Sequence, residues 1–351
     1  MDIPRSALPP GVLSLHILPA EHHDRDWDAI IVPREVKERL LSQALLVLHH
    51  GRKLSMLSGL PHGLIVLAGP PGTGKTTMAR GLAQVAALAL ARQGATALVE
   101  INPHAFPSDM LGESQRNVTR LLTETIPEIA NRRPFVIVLI DEVESFAVRR
   151  SAASFEANPV DVHRATDAVL LGIDEIAKNL PSVLFVTTTN FIEAVDEAFL
   201  SRADLVMTFA LPDRETIERI LDHALGELAV QWPALRPLAQ DRARVSELAE
   251  LCEGWDGRRI RKLVLAALAQ RLEVARDPST LSWDDVLAAA RKKGGVEWGG
   301  GRAPTSRELF PDVPQELMHD HDHGHAVHDH PHDHDHDHTQ THRHTHTHQK
   351  E

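Results

Sequence analysis

The stretch LIVLAGPPGTGKTTMARGLAQVAALALA, residues 64–91, decides the fold. Its first five residues are a short apolar run of the kind that forms a buried strand. GPPGTGKTT follows at 69–77, and strong helix formers continue to residue 91. A strand, a glycine loop and a helix in that order are the context in which GxxxxGK[ST] is a phosphate-binding loop. Gly69, Gly72 and Gly74 allow backbone N–H groups to face a phosphate. Pro70, Pro71, Thr73 and Thr77 complete the loop, and the following helix adds its N-terminal dipole. Lys75 is expected to reach the β- and γ-phosphates of ATP, and the Thr76 hydroxyl to coordinate Mg²⁺. A glycine-rich turn of no function is the bland alternative, and the full pattern in this context speaks against it.

Working outward, FVIVLI at 135–140 is an unbroken apolar run, as in a parallel strand covered on both faces. It ends in Asp141-Glu142, at the strand end where open α/β sheets bind ligands. Asp141 is expected to hold Mg²⁺ and Glu142 to activate the attacking water. VLFVTTTN at 183–190 is a third such run, and its terminal Asn190 is placed to hold that water. Arg202, just before LVMTF, suits an arginine finger directed at a neighbouring subunit. A surface arginine paired with Asp204 is the plainer reading. Arg258, in WDGRRIRKLVLAALAQRL at 255–272, opens a helix that could close onto the phosphates.

Composition limits the function classes. The 351 residues are 42% hydrophobic, enough for two or three modest domains with real cores. The single cysteine, Cys252, cannot form an internal disulfide, which fits a reducing compartment. The N-terminus reads poorly as a signal peptide, and no apolar run approaches the ~20 residues needed to span a bilayer. A cytoplasmic protein without membrane contact is expected. The net charge of −12 and the lack of a DNA-binding module make nucleic acid an improbable partner, although RRIRK at 258–262 is locally basic.

Alternating strand and helix runs over 25–210 predict an α/β fold, a parallel sheet with helices on both faces. From LPDRETIERILDHALGEL onward the periodicity is helical, predicting a small all-helical lid over 211–295. Ser282 three residues before Asp285 forms a capping box there. Residues 1–24 read as a short extension and 296–318 as a Gly/Pro-rich linker. Residues 319–351 carry 14 of the 23 histidines, alternating with Asp and Thr and offering no apolar face. A disordered tail is expected. Its density of imidazoles, among them His319, His321, His323, His332, His334, His336 and His338, makes it a possible chelator of Zn or Ni.

Taken together, INPHAF, VLIDEVES, NPVDVHRATDAVLLGID, TTTNF, VDEAFLSRAD and GRRIRKL resemble the pachytene-checkpoint branch of the AAA+ ATPases, remodellers of HORMA-domain proteins. The likeness runs over roughly residues 25–295 and includes WDAIIVPREVKERLL at 27–41. It implies a homo-hexameric ring, with ATP bound by one subunit and completed by Arg202 of the next. It implies that Lys75, Thr76, Asp141, Glu142, Asn190, Arg202 and Arg258 carry the family's roles. It also implies an ATP-driven remodeller of a protein partner, in bacteria a HORMA-type regulator. Three departures stand out. Only residues 1–26 precede Trp27, where eukaryotic members carry an adaptor-docking domain, so a bacterial-type member without that domain is expected. Asp167 replaces the usual Asn. In the loop SDMLGES at 108–114, Met110 stands where the family has an aromatic. Met110 and Leu111, with Gly112 and Glu113, are expected to face the ring's channel and grip a threaded chain. The competing readings are a nucleic-acid motor or loader and a metal-delivery nucleotidase using the histidine tail.

Overall fold

The computed structural model describes residues 8–9, 11–56, 61–102, 113–145, 147 and 159–291. Met110, Leu111 and Gly112 of the expected channel loop lie outside these residues, as do the 296–318 linker and every histidine of 319–351. Glu113 opens a helix, Glu113–Arg120.

The strands are β1 (Val12–Leu18), β2 (Leu64–Ala68), β3 (Thr96–Ile101), β4 (Phe135–Ile140), β5 (Val183–Thr189) and β6 (Leu205–Thr208). They form one sheet in the order β1-β3-β4-β5-β2-β6. All pairs are parallel except β1 with β3, which is antiparallel. The sheet is therefore mixed at one edge, where the sequence had suggested only an extension. β1 was hard to read because VLSLHIL is broken by Ser14 and His16. Only its ends, Val12 and Leu18, are buried, so the strand lacks the unbroken apolar run of the central ones.

β2 through β5 are buried along their whole length. Their side chains alternate between two cores, as the period-2 pleat requires. Leu64, Val66, Val136, Val138 and Phe185 point into one layer. Ile65, Leu67, Ile137, Leu139 and Leu184 point into the other. Helices α1 (Arg34–Leu54) and α2 (Lys75–Leu90) cover the second face, and α3 (Pro159–Asn179) helps cover the first.

After β6, the described elements up to Arg291 are all helical. α4 (Arg214–Gln231), α5 (Arg242–Leu251), α6 (Gly257–Ala267) and α7 (Trp283–Arg291) enclose a third core around Leu221, Leu248, Ile260 and Val286. The helices start on caps that satisfy orphan N–H groups. Asp213 accepts from Thr216, Asp241 from Arg244 and Asp256 from Arg259. At α7 both bonds of the capping box are present. Ser282 N–H donates to Asp285 Oδ2 at 3.0 Å, and Asp285 N–H to Ser282 Oγ at 3.3 Å. Arg271 adds a bidentate pair to the same carboxylate, and these bonds hold the Asp285 carboxyl well below its usual range. Among the described residues, no helix is long and apolar enough to cross a membrane.

Candidate nucleotide site

The ends of β2, β4 and β5 bring the candidate polar residues to one place, because parallel strands all finish on the same edge. Lys75 is the first residue of α2 and only 5% exposed. Its ammonium donates to Gly69 O at 2.7 Å, Pro70 O at 2.9 Å and Asn190 Oδ1 at 2.9 Å. Burial pushes its pKa down; Asp141, Glu144 and Glu142 pull it back up, and Arg258 opposes them. Three oxygens therefore satisfy the charge while it points into the loop.

Asp141 Oδ1 accepts the Thr76 hydroxyl at 2.8 Å and also that of Thr188. A hydroxyl and a carboxylate oxygen side by side form the all-oxygen donor set that suits a hard divalent cation. These two residues would hold Mg²⁺.

Glu142 has φ of +54°, the one non-glycine residue in the left-handed region among those described. That conformation costs on the order of 1–3 kcal/mol and persists only where neighbours over-determine it. Here Glu142 N–H donates to Thr188 Oγ1 at 3.1 Å, and Asn190 Nδ2 donates to Glu142 Oε1 at 3.1 Å. Asn190 thus touches both Lys75 and Glu142. Its own N–H is held by Glu144 Oε1 at 3.0 Å. Glu144 and Thr188 were not singled out from the sequence. Their only signal is position: Glu144 two residues after Glu142, and Thr188 two before Asn190.

Beside the loop lies a cavity of about 750 Å³. One wall is the segment Ala29–Pro33, which precedes α1. The opposite wall is α4 and α6, contributing Ile220, Arg258, Arg261 and Leu265. Of these residues the sequence had singled out only Arg258. Arg258 lines the cavity and its backbone N–H donates to Gly72 O at 3.1 Å. Gly72 has φ of +80°, and a Cβ there would lie 2.0 Å from Asp256 Oδ1. Loop and α6 therefore meet at a point that admits only glycine. Arg261 donates to Ala29 O at 2.7 Å, tying α6 to the other wall. A mostly apolar cavity with arginines in its lining suits a purine with its phosphates.

Arg202 is elsewhere. Its Nε and Nη2 donate to Asp174 of α3 at 2.7 and 2.8 Å, and Nη1 to Ala198 O at 2.8 Å. The ion pair holds the Asp174 carboxyl below its usual range. The partner anticipated from the sequence, Asp204, instead accepts the N–H groups of His62 and Leu64 at 3.0 and 3.1 Å. None of Arg202's described bonds goes to its own phosphate loop.

With this geometry in view, the relatives can be read. The AAA family, ATPases associated with various cellular activities, matches residues 65–211. CD-NTase-associated protein 6 of Pseudomonas aeruginosa is 42% identical over 297 residues, covering 85% of this chain and 97% of that one. The pachytene checkpoint protein 2 homologue of Arabidopsis thaliana is 31% identical over 81% of this chain and 67% of its own length. This chain belongs to the pachytene-checkpoint family of AAA ATPases. The structure of C. elegans PCH-2 superposes with a TM-score of 0.65 at 25% identity, covering 82% of this chain and 77% of that one. A chain of the E. coli MS115-1 HORMA:CdnC:Trip13 complex gives a TM-score of 0.65 at 22% identity over 80% and 95%, a likeness of fold. The AAA match begins at Ile65 and so spans the whole glycine loop. Neither the nucleic-acid motor nor the metal-delivery nucleotidase has a counterpart among these relatives.

Lys75→Ala is expected to lose ATP affinity, since the one buried cation in the loop is removed and the carbonyls of Gly69 and Pro70 lose their donor. Equilibrium binding of a fluorescent ATP analogue checks this; unchanged affinity would remove Lys75 from the phosphate site.

Proposed function

We propose that this chain hydrolyses ATP with Mg²⁺ in a homo-hexameric cytoplasmic ring and uses the energy to remodel a HORMA-domain protein. The observation that carries the chemistry is Asn190 bonded to both Lys75 and Glu142, beside the Thr76–Asp141 pair. Lys75 binds the phosphates. Thr76 and Asp141 hold the cation, which when bound neutralises charge developing on the phosphate oxygens. Glu142 accepts the proton of the attacking water, and Asn190 orients that water against the carboxylate. Arg258 closes from α6, and Arg202 reaches the nucleotide of the next subunit.

The choice of partner rests on the relatives. The Pseudomonas protein is named for association with a CD-NTase, and the E. coli complex contains a HORMA protein. The direct test is phosphate release from ATP and Mg²⁺, followed by conversion of a HORMA protein between conformers, read by ion-exchange mobility. Hydrolysis without conversion of any HORMA protein encoded beside this chain would overturn the partner assignment and leave the ATPase.

The channel loop gives a second test. Met110→Ala combined with Leu111→Ala is expected to leave basal hydrolysis and melting temperature near wild type while abolishing remodelling. A flexible thioether and a branched aliphatic grip varied sequence without needing a fixed shape. If both melting temperature and hydrolysis fall, the two side chains belong to the subunit's own core.

A further inference from the structure

We propose that His16, His22 and His23 form a site for Zn²⁺ that is separate from the nucleotide pocket. His16 stands on β1, and His22 and His23 on the helical turn Glu21–His23 that follows it. One ring nitrogen from each lies within 4.8 Å of the others. The rings themselves meet edge-on or tilted, with centroids 4.0 Å apart for His22 and His23 and 5.0 Å for His16 and His22.

Mutual packing of three imidazoles would account for the ring contacts. It does not account for His23. That side chain is 5% exposed, and its Nδ1 bonds Asp26 Oδ2 at 2.8 Å. Its Nε2 is buried with no hydrogen-bond partner. In the neutral ring, Nδ1–H donates to Asp26 and Nε2 keeps a lone pair directed at nothing. A carboxylate on one ring nitrogen and a free lone pair on the other is the arrangement that orients a metal-bound histidine.

Zn–N bonds of ~2.0–2.1 Å in a tetrahedron place the nitrogens ~3.3 Å apart. The present spacing of up to 4.8 Å has to close by about 1.5 Å to reach that, and His22, which is exposed, has room to move. The exposed side leaves a fourth position for water. Three imidazoles select Zn²⁺, Ni²⁺ or Cu²⁺ and reject Mg²⁺, so this donor set is chemically distinct from Thr76 and Asp141.

The turn is built into the ATPase body. Ala20 N–H donates to Gln84 Oε1 at 3.0 Å, and Gln84 Nε2 donates to Asp24 Oδ1 at 2.6 Å. Gln84 belongs to α2, the helix that begins at Lys75. A Cβ on Gly81 of the same helix would lie 2.5 Å from Trp27 N, so the chain after the turn rests directly on α2. The next residues, Ala29–Pro33, form the cavity wall. Metal at the three histidines would pin β1 to the turn and stiffen the approach to that wall.

The test uses the full chain, with Co²⁺ as a spectroscopic probe and Zn²⁺ affinity by competition. The histidines of 319–351 are present in every variant, so differences between variants report on this site alone. His22→Ala, at an exposed position, is expected to keep its metal-free melting temperature and to lose the intense visible absorption of low-coordinate Co²⁺. Its Zn²⁺ affinity is expected to fall by more than the ~10–100-fold typical of losing an outer partner, and Asp26→Asn to fall within that range. His16→Gln serves as the second variant, replacing a ligand from the strand side. Identical Co²⁺ spectra and Zn²⁺ affinities in wild type, His22→Ala and His16→Gln would overturn the site.

Discussion

Arg202→Ala is expected to bind ATP normally and to hydrolyse it about 10³–10⁵-fold more slowly, the range for removing an arginine that stabilises charge on the transferred phosphoryl group. Within one subunit the guanidinium is held by Asp174 and by Ala198 O, away from its own loop. Any effect on turnover is therefore expected to come through another subunit. Mixing supplies the check. Arg202→Ala subunits lack the finger but keep Glu142; Glu142→Gln subunits lack the base but keep Arg202. Each is expected to be inactive alone. In mixed rings, activity is expected to return where an intact Arg202 faces an intact Glu142. Full activity of a monomer, with no ATP-dependent assembly, would refute the assignment.

Glu142→Gln is the second large effect. Turnover is expected to fall about 10²–10⁴-fold, the usual worth of a general base, with ATP affinity retained. Glutamine keeps the volume and can still accept from Asn190 Nδ2, now 3.1 Å from Glu142 Oε1. The strained backbone at this position is held by Thr188, which the substitution does not touch. Folding is therefore expected to be preserved while the proposed proton acceptor is lost. Phosphate release measured with isothermal binding of ATP separates the two quantities. Wild-type turnover would show that another group takes the proton.

The positions of Lys75, Thr76 and Asp141 at one edge of the sheet were legible because each stands in a short local pattern: a glycine loop after an apolar run, or an acid at the end of one. The parallel sheet was legible for the same reason, since strands covered on both faces read as unbroken apolar runs. β1 was not, because this edge strand is buried only at Val12 and Leu18 and its apolar run is interrupted by Ser14 and His16. The helical character of 211–291 followed from its periodicity and from the Ser282–Asp285 box. Apart from Arg258, the cavity wall was invisible, because Ala29–Pro33 meets α4 and α6 only after some 190–230 intervening residues have folded.

The amino-acid sequence by itself determined the parallel strands β2–β6 and the helices between them, the glycine loop and the acidic pair, since these depend on neighbours within a few residues. Only the tertiary structure decided what each polar group faces. Asn190 joins Lys75 to Glu142 across 115 and 48 positions of chain. Arg202 chooses Asp174, 28 residues earlier, over the adjacent Asp204. Asp204 is occupied by the N–H groups of His62 and Leu64. Backbone donors near a strand end need acceptors as strongly as a guanidinium does. Which demand a carboxylate meets is fixed by how the sheet and helices pack, and no local pattern encodes it.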